Sequence, residues 1–317
     1  MHLDKNLVCA DQALLQLGRR LSADGYRFTC VTPATHARNN DRPVADKAHD
    51  LRDVFGWSRP FPPALISPDE LAQLKRAGLV EDQGELLRSV VRWSSIDNLL
   101  LVHSAWPTES RDAVFFGPDS YRFAQLIKDF LQQHPRRVEN AVDIGCGSGV
   151  AALLIAAAAP HAQVCAVDIN PLALRFTAIN AALAGVANVS VERSDLLEDI
   201  AGMFDLIVAN PPYMLDTRQR AYRHGGGALG AELSWRIIEQ ARERLAVGGT
   251  LLLYTGVAIV EGRDFLLEAV RLHLAGPGFS WHYRELDPDV FGEQLLEPGY
   301  EQVERIAVVA LTLTRIV

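Results

Sequence analysis

The sequence predicts an α/β protein whose larger part is a mostly parallel sheet of seven strands covered by helices. Three observations carry that prediction. From about Val114 onward, short apolar runs alternate with helix-like runs. One apolar run, Ala141-Val142-Asp143-Ile144, feeds directly into the turn Gly145-Cys146-Gly147-Ser148-Gly149, with an alanine-rich helix behind it. The chain then closes on two strand-like runs separated only by Pro288, Gly292, Pro298 and Gly299, so its last strand is predicted to pair antiparallel with the sheet. Short strands joined through helices need crossover connections, and these place helices on both faces of a parallel sheet.

Residues 1–113 have a different character and are predicted to form a smaller α+β domain for substrate recognition or packing. Leu7, Leu14, Leu17 and Leu21 recur at near-helical spacing, so residues 4–22 open with a helix. The polar stretch Pro33 to Asp50 reads as a loop, and the Trp-, Phe- and Pro-rich stretch Leu51 to Ala64 as a packed connection. Ser67-Pro68-Asp69-Glu70 is a helix start, with a capping serine, proline in the first turn and acids at the positive end of the dipole; Gly78 stops that helix. Leu86 to Trp93 and Leu99 to Ser104 are predicted as the two strands of one hairpin. Helix followed by hairpin resembles a winged-helix module. Packing on the larger domain or a dimer surface competes with nucleic-acid docking, because the basic residues do not cluster on the predicted helix.

In the larger part, residues 114–317, the predicted strands are Ala141 to Ile144, Gln163 to Val167, Val189 to Glu192, Phe204 to Ala209, Thr250 to Tyr254, Phe279 to Glu285 and Arg305 to Thr314. The predicted helices between them are Val150 to Ala159, Pro171 to Ala184, Ser234 to Leu245 and Phe265 to Leu274.

Composition excludes several classes. At 317 residues, 49% hydrophobic and 22% charged, the chain has the make-up of a water-soluble globular protein with room for two domains. A net charge of -8 disfavours tight, non-specific binding to a nucleic-acid backbone. The charged start Met1-His2-Leu3-Asp4-Lys5 is unlike a secretory leader, and Val150 to Ala159, the longest apolar run, is too short to span a bilayer. Cys9, Cys30, Cys146 and Cys165 are dispersed, so neither a disulfide framework nor a metal site is expected. A cytoplasmic protein with reduced thiols and no membrane partner is the expectation.

The glycine turn implies a small anionic cofactor lying on a strand-to-helix corner, where backbone without Cβ can approach a ligand. The nicotinamide fingerprint would need glycine at 150, where Val150 stands. Asp143-x-Gly145-x-Gly147-x-Gly149 instead resembles the first motif of the class I S-adenosylmethionine (SAM) methyltransferases, whose Rossmann-like sheet matches the predicted order of strands. The resemblance implies SAM as cofactor, S-adenosylhomocysteine as product, and a cofactor site at Asp143, Gly145, Cys146, Gly147 and Gly149. Asp168, at the end of the second strand, is placed to accept both ribose hydroxyls, with Ile169 and Asn170 beside it. Ser194, Asp195 and Leu196 follow the third strand, where such enzymes hold the adenine.

Asn210-Pro211-Pro212-Tyr213 follows the apolar run Phe204 to Ala209 and ends the fourth strand. This run resembles the acceptor motif of the amino-methylating class I enzymes. They include the HemK/PrmC-type glutamine methyltransferases of release factors, the "methyltransferase small" domain family, and enzymes acting on adenine or guanine in RNA or DNA. The resemblance implies that Asn210, also at the cofactor's edge, accepts a hydrogen bond from the target NH2 through its side-chain oxygen. Pro211 accepts another through its carbonyl, Pro212 stiffens the strip, and Tyr213 stacks on the planar group. An amide nitrogen is a poor nucleophile because its lone pair is delocalised; two fixed acceptors favour a pyramidal nitrogen with its lone pair aimed at the methyl group.

Two segments are expected to border the site. Phe116 and Tyr121, in the approach segment Phe115 to Tyr121, are candidates to lie over the methionine end of the cofactor, with packing between domains as the alternative. Asp216 to Glu232 carries Arg218, Arg220, Arg223 and His224 before Gly225-Gly226-Gly227, and reads either as a solvated loop or as a basic clamp on substrate. The order of motifs resembles the release-factor enzymes most, which implies a protein partner carrying a target glutamine, such as a translation factor. An exocyclic amine of RNA or DNA is the alternative, and a small amide or amine metabolite the next. The helix-plus-hairpin start departs from the all-helical recognition bundle of bacterial HemK/PrmC enzymes.

Overall fold

A computed structural model describes residues 5–134, 138–216, 220 and 222–317. The chain opens with α1 (Lys5–Ala23), which buries Leu14, Leu17 and Leu21 on one face. Next comes α2 (Pro33–Asn40), which corrects the loop predicted there. Its start is encoded locally: Pro33 occupies the first turn and the Thr32 hydroxyl accepts from the Thr35 N–H at 3.2 Å. A short helix α3 (Leu51–Phe55) lies inside the predicted packed connection and buries Val54 and Phe55. Helix α4 (Pro68–Arg76) runs from Ser67 and stops before Gly78, which takes φ +65°.

The predicted single hairpin is two. Strands β1 (Val80–Gln83) and β2 (Leu86–Ser89) form one, and β3 (Val91–Ile96) and β4 (Leu99–Ser104) form the other. The break in the predicted strand falls at Val90. There the Ser89 hydroxyl bridges the N–H and carbonyl of Val91, while the Val90 N–H turns to the carbonyl of Leu79.

The larger part contains α5 (Pro118–Gln133), β5 (Asn140–Ile144), α6 (Val150–Ala158), β6 (Gln163–Asp168), α7 (Pro171–Ala184), β7 (Val189–Arg193) and β8 (Phe204–Ala209). It continues with α8 (Glu232–Arg244), β9 (Leu245–Val260), β10 (Arg263–Asp264), α9 (Phe265–His273), β11 (Phe279–Asp287) and β12 (Arg305–Arg315). Seven strands lie in the order β11-β12-β9-β8-β5-β6-β7, and the two-residue β10 folds back on β9. Strands β5 to β9 are parallel, while β12 runs antiparallel between β9 and β11. β9 continues past Tyr254, the end predicted for it, because β12 pairs with it from Thr250 to Ile259 through Thr255 and Gly256, residues that interrupt its apolar pattern.

Alternate residues of each strand supply opposite faces. Ala141, Leu206, Val208 and Leu252 pack beneath α5 and α6, and Val142, Ile207, Leu251 and Leu253 pack beneath α8 and α9. Helix α7 has a second partner: Ala173, Phe176 and Ile179 join the core formed by α1, α4 and the hairpins. The N-terminal region therefore sits directly on the helices that follow the first two sheet strands. Among the described residues no helix is long and apolar enough to cross a membrane.

Candidate active site

The order of strands reverses beside β5, with β6 on one side and β8 on the other, so the carboxyl ends of these strands open a crevice. At the end of β5 the N–H groups of Gly145 and Cys146 both donate to the carbonyl of Val167, at 2.9 and 3.0 Å. Gly145 and Gly147 take φ +69° and +55°, a backbone region open mainly to glycine. A Cβ at Gly145 would meet no protein atom within 4 Å, so the space beside it belongs to the crevice.

The crevice is a cavity of about 1050 Å³ including its open mouth. Its wall brings together Asp143, Gly145, Cys146, Gly147, Asp168, Ile169, Asn170, Ser194, Asp195, Leu196, Asn210, Pro211 and Pro212. A smaller hollow of about 430 Å³ lies against the same strip, bordered by Asn210, Pro211, Pro212, Tyr213 and Arg223. Phe115 and Tyr222 border both spaces, their rings nearly parallel at 5° with centroids 5.8 Å apart.

The carboxylates are set by backbone donors. Asp168 Oδ2 accepts from the Gly147 N–H at 3.1 Å and Oδ1 from the Asn170 N–H at 2.9 Å. Burial raises its pKa, while those N–H bonds pull it back down. Asp143 is 2% exposed, and its Oδ2 accepts from the Ala152 N–H at 3.1 Å. Burial pushes its carboxyl up to about 7, against that hydrogen bond and with Asp168 adding to the rise. A buried acid balanced between its charge states fits a cationic guest, which would draw it to the carboxylate. Burial also raises the Cys146 thiol well above its ordinary value. Asn170 caps α7 through Leu172 N–H and donates its side-chain N–H to the carbonyl of Asp112 at 2.7 Å, tying the corner to the N-terminal connection.

Several expected residues lie elsewhere. Phe116 is fully buried, stacked on His103 at 5.0 Å, and Tyr121 packs edge-on to it and accepts from the Cys30 N–H at 2.9 Å. Both belong to packing between the N-terminal region and α6, not to the cavity, which Phe115 borders instead. Gly149 is a packing glycine: a Cβ there would lie 2.8 Å from Thr177 Cγ2 on α7. Tyr213 borders only the smaller hollow, and its hydroxyl donates to Asp119 Oδ2 at 2.6 Å.

Among the described residues of the loop after Tyr213, the arginines make contacts within the protein. Arg220 reaches both oxygens of the buried Asp216, at 2.6 and 3.0 Å, and Arg223 donates to Gln294. The Tyr222 hydroxyl donates to the carbonyl of Thr108 at 2.6 Å. Gly225 serves close approach, since a Cβ there would fall 2.1 Å from the Gly230 carbonyl. Arg218 lies outside the described residues. The sequence carried no sign of Phe115 and Tyr222 as a pair, because they are distant in the chain and meet only when the loop folds back. Among the described residues no group of three or more His, Cys, Asp or Glu side chains could hold a metal ion.

Residues 122–259 match the methyltransferase small domain family. A release factor glutamine methyltransferase of Deinococcus radiodurans is 37% identical over 50% of this chain, which spans 58% of that relative. A ribosomal protein uL3 glutamine methyltransferase of Neisseria meningitidis serogroup A is 31% identical over 67% of this chain and 74% of its own length. A relative with the same description from Burkholderia pseudomallei is 30% identical over 81% of this chain and 90% of its own length, a match that reaches into the N-terminal region. With motif order, sheet topology and these relatives in agreement, the chain belongs to the class I SAM-dependent methyltransferases of the HemK/PrmC type.

Proposed function

We propose that this protein methylates the side-chain amide nitrogen of a glutamine in a protein of the translation apparatus, and hence acts in the cytoplasm. The observation that carries the reading is that Asn210, Pro211 and Pro212 form the shared wall of two adjoining spaces. One is large enough for a nucleoside-sized ligand, and the other is a small hollow fit for a side-chain amide. The naming of several relatives as glutamine methyltransferases supports the same acceptor.

SAM, when bound, supplies an electrophilic methyl group on a positively charged sulfur. Asp168 would take the ribose hydroxyls on the lone pairs left free by its backbone donors. Ser194, Asp195 and Leu196 border the end of the cavity suited to the adenine. Asp143, through its carboxylate, would favour the positively charged end. The Asn210 side-chain oxygen and the Pro211 carbonyl accept the two N–H bonds of the target amide. That grip would orient the nitrogen's lone pair and stabilise positive charge as it develops on nitrogen. The proton leaves the nitrogen after transfer, so no strong base is required. Phe115 and Tyr222 provide aromatic walls where the spaces meet, the flat contact that the sequence led one to expect from Tyr213.

The test is transfer of label from methyl-tritiated SAM to purified release factor, ribosomal protein uL3, ribosomal RNA, transfer RNA and whole lysate. Label on a protein glutamine is the expected outcome. Label confined to RNase-sensitive material would reassign the acceptor to a nucleobase amine, and label in neither fraction would point to a metabolite.

A further inference from the structure

The acceptor strip is held from outside its own strand. Asp119, in the first turn of α5, is 4% exposed, and each of its oxygens takes a phenol. The Tyr213 hydroxyl donates to Oδ2 at 2.6 Å, and the Tyr254 hydroxyl, from β9, donates to Oδ1 at 2.8 Å. Arg122 Nη1 reaches Oδ1 at 3.3 Å while its Nη2 holds Asp287 at 2.8 Å. Burial raises the pKa of both phenols, so they remain neutral donors. The Tyr213 ring is equally confined: a Cβ on Gly256 would fall 2.2 Å from it.

Burying a carboxylate costs stability unless both oxygens are satisfied. Here two hydroxyls, one guanidinium and the positive end of α5 satisfy it. Apolar side chains of the same size would fill the space without that cost, but they would not orient the Tyr213 ring. Orientation matters because Pro211 and Pro212 have fixed φ, so a displacement of Tyr213 travels back to the Pro211 carbonyl through few soft torsions.

We infer that Asp119 is a positioning residue for methyl transfer: through the Tyr213 hydroxyl it holds the Asn210–Pro212 strip in register with the cavity, while Arg122 and Tyr254 share its other oxygen. This rests on the acceptor role given above to Asn210 and Pro211. Asp119 itself borders the smaller hollow, but its oxygens are engaged by Tyr213, Tyr254 and Arg122, so its effect is transmitted through the strip.

Crystal structures of the wild-type protein, Asp119→Asn and Tyr213→Phe, each with S-adenosylhomocysteine, test the inference without any acceptor. Asn210 Oδ1 and the Pro211 carbonyl should move by more than ~0.5 Å in both variants, a large displacement for a preorganised site. In methyl transfer to release factor or ribosomal protein uL3, kcat should fall roughly 100-fold in each variant. The SAM dissociation constant, read by calorimetry, should stay unchanged, and the double variant should be no worse than either single one. Tyr254→Phe is the control for a merely structural role; it should melt earlier while kcat stays near wild type. A strip that does not move, losses that multiply in the double variant, or a kcat that tracks melting temperature across all variants would overturn the assignment. If Asp119→Asn does not fold, Tyr213→Phe decides, since it leaves the carboxylate with Tyr254 and Arg122. If neither protein accepts label, the crystal comparison still judges Asp119, and only the acceptor assignment falls.

Discussion

Asn180 of α7 treats Val102 of β4 as a neighbouring strand would: its Oδ1 accepts from the Val102 N–H at 2.8 Å and its Nδ2 donates to the Val102 carbonyl at 3.2 Å. The same Nδ2 donates to the Ser148 carbonyl in the glycine turn, at 2.8 Å. One fully buried amide thus joins the N-terminal hairpin to the glycine turn.

Asn180→Ala strips partners from three buried backbone groups. The expected loss is ~1–3 kcal/mol of stability, with weaker SAM binding because the turn loses a support. Chemical denaturation and SAM titration check this. Unchanged values in both would show that water replaces the amide without cost.

Asp143 makes apo stability depend on pH. Its carboxyl rises from 3.8 to about 7 in the folded state, so the fold binds a proton that the unfolded chain releases. The group therefore destabilises progressively as pH rises from 4 to 7 and by a constant amount above that. Asp143→Asn should be more stable than wild type at pH 8 by ~4 kcal/mol, and the gap should close toward pH 4. Its SAM affinity should be lower, and should no longer weaken as pH falls below 7. A gap that stays constant from pH 4 to 8 would refute the buried-acid account.

Asn210→Ala and Asp168→Ala should separate chemistry from cofactor binding. The first should lower kcat by roughly 100-fold or more, as removal of one oriented polar group in an electrostatic site does, with SAM binding near normal. The second should weaken SAM binding strongly and leave the protein folded. Calorimetry with SAM and single-turnover transfer measure both; equal loss of binding in the two variants would contradict the division of roles.

Tyr222 has two separable functions, a ring beside Phe115 and a hydroxyl on Thr108. Tyr222→Phe keeps the aromatic wall and should retain most activity. Tyr222→Ala removes it and should raise the KM for the acceptor more than the KM for SAM. If the two variants behave alike, the hydroxyl anchor rather than the ring is what matters.

Much of the glycine-lined corner is local in origin, and its backbone geometry was legible for that reason. Asp143, the glycine turn, Asp168 and Asn170 are placed by strand ends, left-handed glycines and a helix cap, all written in adjacent residues. The same holds for the seven-strand sheet, where apolar runs mark strands whatever their neighbours. Legibility failed where composition masked a local signal or where partners lie far apart in sequence. The polar composition of residues 33–50 hid α2, and a continuous strand-like run over 86–93 hid the break at Val90, which depends on Leu79 accepting from its N–H.

The sequence alone determined the sheet, the glycine-lined corner and the placing of Asn210-Pro211-Pro212 at a strand end, because short-range sterics and hydrophobic periodicity decide each of them. Tertiary structure decided which aromatic faces the site. Phe115 and Phe116 are adjacent and alike, yet one borders the cavity and the other is buried against His103. Each ring's surroundings include a partner distant in sequence, His103 against Phe116 and Tyr222 against Phe115, a long-range packing choice that no single segment encodes.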